Sequence, residues 1–276
     1  NANDPDGFLA SDGVTINVLP AATVDGNLTV GSPGRVNNEG IIGNTGDSLV
    51  TLGGGGTFAN TRIATINGAV SFGNTAGATN SLGNNGVFNA DVNSTGALNF
   101  VNTFSGLEVG VITGNISSSG ATSISNVGAA SIITGAITLG DAADVISNEG
   151  TITGPINFGG GVSTLTNAAG ATITGNVTAA GDTTFTNAGA FVGDLTLGAG
   201  NDTITNTGTF TGNINMGAGT NSIGFGSTAA LPTGTLTADA LRAAARAGFY
   251  KHERDDLVVF RFARGTSCAG VFTRHK

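Results

Sequence analysis

One asparagine recurs through most of this chain, at Asn38, Asn60, Asn84, Asn102, Asn126, Asn148, Asn167, Asn187 and Asn206. The intervals run from 18 to 24 residues and average 21. A fixed period of this size marks a repeat architecture, in which each unit stacks on the next. Three apolar columns keep the same beat. Ile112, Ile133, Ile152, Ile173, Phe191 and Phe210 form one. Ile116, Ile137, Ile156, Val177, Leu195 and Ile214 form a second, and Ile124, Ile146, Leu165, Phe185, Ile204 and Ile223 a third.

Within each short run the side chains alternate, as in Thr203-Ile204-Thr205. Period-two alternation is the sign of a strand with one buried face. Three such runs per unit, separated by Gly and Asn clusters, predict three short strands per coil. The fold class is therefore all-β: a parallel β-helix, or β-solenoid, of about ten coils of ~20 residues each, set one strand spacing of ~4.8 Å apart. Apolar residues face inward, including Ile152, Ile156, Leu165, Phe185 and Ile204. Thr faces outward, where its branched Cβ favours extended backbone. Gly and Asn supply the corner conformations that other residues resist. Asn126, Asn148, Asn167, Asn187 and Asn206 are expected to ladder their amides along one corner.

Composition agrees. The 47 glycines among 276 residues are about 17%, against ~7% in ordinary chains. Only 5 residues are proline, which excludes collagen. Charged residues are 10%, so the surface must be built from Thr, Ser, Asn and Gly. The charge is unevenly placed. Residues 1–231 hold Arg35 and Arg62 against fourteen acidic residues, whereas 232–276 hold eight basic and four acidic ones. An acidic body disfavours nucleic acid as a partner. No apolar run approaches the ~20 residues of a membrane helix, so no membrane insertion of this chain is expected.

The repeat divides the chain into residues 1–34, read as an irregular first coil or cap; 35–231, the β-helix; and 232–276, a basic segment of different composition. The stretch from Thr237 to Gly248 reads as a short helix with Thr237 as N-cap. Leu257–Phe260 and Val271-Phe272 read as strands. This tail reads as a short α/β cap on the last coil, as a basic surface, with Arg242, Arg246, Arg261 and Arg264, that docks on the acidic body of another copy, or as a segment from a shifted reading frame, foreign to the repeat protein.

No catalytic constellation is apparent, and the chain is expected not to be an enzyme. Sugar cleavage needs two carboxylates across the scissile bond. Asp141 with Asp144, and Asp182 and Asp202 at comparable corners, read as solvated turns. Residues 198–204 resemble half of a calcium-binding nonapeptide repeat, but a ~20-residue coil is too long for that geometry, so no metal is expected. Cys268, His252 and His275 match no ligand spacing. No cofactor is expected. Outward Thr pairs at Thr164/Thr166, Thr184/Thr186 and Thr203/Thr205 form an array too short and uneven to match ice.

The phrases at 197–206 and 205–221, from Leu-Gly-Ala-Gly-Asn-Asp-Thr through Met-Gly-Ala-Gly-Thr-Asn, resemble the repeats of autotransporter passenger domains. The resemblance covers residues 35–225. It implies a right-handed parallel β-helix exposed outside a bacterial outer membrane. That family carries a membrane β-barrel after the passenger, for which 276 residues leave no room. The expectation is either a cleaved passenger or a free solenoid exported by another route. Two functions follow: an extracellular surface solenoid, structural or adhesive, binding itself head to tail or a host or abiotic surface; or a carbohydrate-binding or carbohydrate-active β-helix. The absence of Trp and the single Tyr disfavour sugar-stacking platforms.

Overall fold

A computed structural model describes residues 2–3, 7–43, 48–61, 63–105, 108–226 and 234–237. Successive strands visit three sheets in strict rotation. Sheet A runs from Ala2–Asn3 to Thr209–Thr211, and sheet B from Phe8–Ala10 to Ile214–Asn215. Sheet C runs from Thr15–Val18 to Ser222–Phe225. Each has 11 strands along its stacking path, all paired parallel to the strand one coil away. Ten strand spacings give a stack about 50 Å long. The chain is thus a parallel β-solenoid, with no helix among the described residues.

The apolar columns are in register. Ile133 pairs with Ile152 in sheet A, Ile137 with Ile156 in sheet B, and Ile146 with Leu165 in sheet C. Ile152, Ile156, Leu165, Phe185 and Ile204 are all buried. Near the C-terminal end Phe185, Phe191 and Phe210 pack together, with centroids 4.7 to 6.3 Å apart. Such ring contacts add to area burial by about 0.5–1.5 kcal/mol per pair.

Coil length varies at the corners while strand register is kept. The longest intervals show how. Between Asn102 and Asn126 the sheet C strand Ala97–Ser105 runs on into an antiparallel pairing with Glu108–Val109. Between Asn60 and Asn84 the turn around Gly73–Ala78 and a longer step from Asn60 to Thr65 take up the extra length. The Asn column therefore pairs residue to residue from Asn38 to Asn206.

The segment 1–34 joins the same rotation. Ala2–Asn3, Phe8–Ala10 and Thr15–Val18 pair in parallel with the coil that follows. At the other end, Leu236 forms an isolated parallel bridge with Ile214 and is buried. It extends the sheet B column by one further member. The helix over 238–248, the strands beyond it, and Arg242, Arg246, Arg261, Arg264, Cys268, His252 and His275 lie outside the described residues.

Candidate functional site

Three corners separate the sheets, and each is governed by one column of residues. The corner from A to B is a glycine column: Gly114, Gly135, Gly154, Gly175, Gly193 and Gly212. From Gly135 on, its φ angles lie between +137° and +153°, where L side chains are strained. A Cβ on Gly154 would also press on the carbonyl oxygen of Gly135 in the coil before it. Stacking and backbone conformation thus demand glycine independently.

The corner from C to A is the asparagine column. Each Asn is an inward residue of a sheet C strand and is buried. Asn148 is representative. Its Oδ1 accepts from Asn126 Nδ2 at 2.8 Å and from Gly150 N at 3.3 Å. Its Nδ2 donates to Asn167 Oδ1 at 2.9 Å, and to Gly150 O and Thr172 O at 3.1 Å each. Eight such amide-to-amide bonds of 2.7 to 2.9 Å connect Asn38 to Asn206. An amide has both a donor and an acceptor, so identical copies satisfy one another along a stack. By register Val18 lies below Asn38 and Phe225 above Asn206, so apolar residues end the ladder at both sides.

The corner from B to C carries a mixed column. Asn80, Leu98, Thr122, Asp144, Ser163, Thr183, Asp202 and Asn221 occupy equivalent inward positions, and all are buried. This overturns the reading of Asp144 and Asp202 as solvated turns: they are 1% and 0% exposed. Alternation would have found them, because Asp144-Val145-Ile146-Ser147-Asn148 places Asp, Ile and Asn on one face. Asp141 and Asp182 do lie at exposed turns, where their Oδ1 atoms accept from Gly160 N at 2.7 Å and Asn201 N at 2.8 Å. Asp144 Oδ1 accepts from Thr122 N at 2.8 Å, and Asp202 Oδ1 from Thr183 N at 3.0 Å. Burial pushes both carboxyls up to about 6, against the pull of those N–H donors and of the Thr122 and Thr183 side chains; the like charge of Asp182 adds to the rise at Asp202.

Outside, the three faces are alike. Sheet C presents Ser123/Ser125, Val145/Ser147, Thr164/Thr166, Thr184/Thr186 and Thr203/Thr205. From Leu49 to Phe225, no outward position on the three stacked ladders is charged. The described acidic groups there stand at corners, in the inserted hairpin, or inside. No group of three or more His, Cys, Asp or Glu able to hold a metal occurs among the described residues. No helix long and apolar enough to cross a membrane occurs among them.

The N-terminal end differs from the body. Phe8, Ile16, Val18, Ala22, Val24 and Leu28 line a cavity of about 320 Å³ at the first coil. Phe8 is 36% exposed, whereas Leu28 and Val50, which stack on it in the next two coils, are fully covered.

No protein-family model matches this chain, and neither does any solved structure. One curated protein shares a short segment. The arginine biosynthesis bifunctional protein ArgJ of Caulobacter vibrioides (strain ATCC 19089 / CIP 103742 / CB 15) is 76% identical over 33 residues. That segment is 12% of this chain and 8% of ArgJ. A match of that length is too short to carry a fold or an activity to the remainder.

Proposed function

We propose that this chain is a structural or adhesive β-solenoid of a bacterial cell surface, working through its length and its faces rather than through catalysis, and assembling head to tail. The observation that carries this reading is a rod with uncharged Ser/Thr/Asn faces and an apolar cavity at its N-terminal end. A parallel coil stack leaves strand edges at its ends, which are templates for further pairing. The acidic body and the basic 232–276 segment add an electrostatic attraction between copies. The autotransporter-like phrases at 197–221 support export to the surface.

The carboxylate geometry disfavours the carbohydrate-cleaving alternative. Asp144 and Asp202 are three coils apart, roughly 14 Å at the strand spacing. Glycosidase pairs stand about 5 to 9.5 Å apart on either side of the sugar, and these two face the core.

Electron microscopy of the purified full chain, across protein concentration and salt, tests the proposal. Filaments or sheets with a repeat near one rod length, weakening as salt rises, are expected. Isolated rods under every condition would remove the assembly reading and turn attention to ligands on the Thr/Asn faces.

A further inference from the structure

The mixed column holds two oxygens whose surroundings the coil stack does not satisfy. Where this column carries asparagine, the amide is fully used. Asn221 Oδ1 accepts from Asp202 N at 2.9 Å, and its Nδ2 donates to Met216 O at 2.9 Å and Ala218 O at 3.1 Å. Asn80 Oδ1 accepts from Gly55 N at 2.9 Å, and its Nδ2 donates to Gly73 O at 2.9 Å and Ser94 Oγ at 3.1 Å. In both, the N–H groups answer acceptors at the end of sheet B.

Asp144 and Asp202 keep half of this arrangement. Their Oδ1 atoms accept a backbone N–H, as the asparagines do. Their Oδ2 atoms take the place of the amide nitrogen and are buried without a partner. The corners have the same length in all three coils. Counting back five and three residues, as from Asn221 to Met216 and Ala218, gives Leu197 and Ala199 for Asp202, and Leu139 and Asp141 for Asp144. A carboxylate has no hydrogen to offer those carbonyls, whereas a carboxylic acid has one. A buried, unpartnered charge is the costlier state.

We propose that Asp144 and Asp202 are neutral carboxylic acids in the folded solenoid, each donating its Oδ2–H to a corner carbonyl as Asn80 and Asn221 donate N–H, so that ionisation loosens these two corners. Each proton comes from solvent and returns to it. The like charge of Asp182 favours the neutral form of Asp202. Asp182 stands in the coil before Asp202, and Asp141 opens the same corner as Asp144. Thr122 and Ser163 flank Asp144, and Thr183 and Asn221 flank Asp202, so the adjacent coils bring no countercharge. Arg35, far off in the second coil, is the sole basic side chain among the described residues. Both carboxyls are raised from 3.8 to about 6 in the folded chain. The sign follows: the native state holds more protons, so this stabilisation is complete below about pH 4 and is lost as pH rises through 6.

The test is urea unfolding of the full chain and of a D144N/D202N variant at pH 4 and pH 7.5. At pH 4 the two proteins should be close. At pH 7.5 the variant should be the more stable, and the difference should grow by on the order of fifty- to a hundredfold per site in the unfolding equilibrium. The difference between the proteins is read, because the other carboxylates act on both alike. A variant no more stable at pH 7.5 than the original would overturn the proposal. So would recovery of the original protein alone by calcium at pH 7.5, which would mean that the Oδ2 atoms hold a cation. If the variant does not fold, the carboxyl ¹³C resonances of the original decide. Two aspartates titrating near pH 6 support the proposal, and all aspartates titrating below pH 4.5 sink it.

Discussion

Two corners of the same solenoid solve the same problem differently. The C-to-A corner repeats one residue nine times, and eight amide bonds run through it from Asn38 to Asn206. The B-to-C corner changes residue in almost every coil, and two of its members end with an oxygen that has no partner. The contrast lies in the functional groups. Asparagine is complementary to itself along a stack, because each copy offers an N–H above and a C=O below. A carboxylate is not, and neither are Thr or Ser in alternation with it. A column can thus be uniform and self-satisfying, or varied and dependent on its own corner for partners.

The strongest test of this contrast breaks the uniform ladder in its middle. Asn148→Leu keeps the side-chain branching but leaves Gly150 N and Asn167 Oδ1 without a partner and breaks the amide bond from Asn126. At about 1–3 kcal/mol for each buried group left unsatisfied, a loss of about 3 kcal/mol or more is expected in urea unfolding. The same substitution at Asn206 should cost about 1 kcal/mol, because it has an Asn neighbour on one side only. Equal losses at 148 and 206 would mean that the ladder does not act as a chain of bonds. In the varied column, Ser163→Ala should cost no more than about 0.5 kcal/mol, because the Ser163 hydroxyl makes only a 3.4 Å contact to Gly161 O. The smallest effect concerns Asp182. Asp182→Asn removes one like charge, so the titration of Asp202 should move slightly toward acid while that of Asp144 stays in place. An equal movement at both would show a general field and not a local one.

Much of this fold was open to reading from the chain alone. The Ile and Asn columns, the three-strand coil and the outward Thr follow from alternation and period, because a parallel stack places equivalent residues directly above one another. The register before Asn126 was harder to see. Insertions such as the one after Ala97–Ser105 change the interval without changing the pairing, and only the folded chain shows at which corner the extra residues leave the stack.

Asp144 and Asp202 mark the boundary most sharply. Their inward direction was present in the alternation, two residues before Ile146 and Ile204. Their Gly-rich surroundings nevertheless suggested solvent, since such clusters usually mark exposed turns. The chain by itself determined that coils form, how long they are and which columns stack, because strand periodicity is a local property. Tertiary structure decided which corner carbonyls lie beside each buried polar atom, and so which atoms go without a partner. Hydrogen bonding depends on the position of a group one coil away, some twenty residues distant in sequence, and local pattern carries no record of that distance.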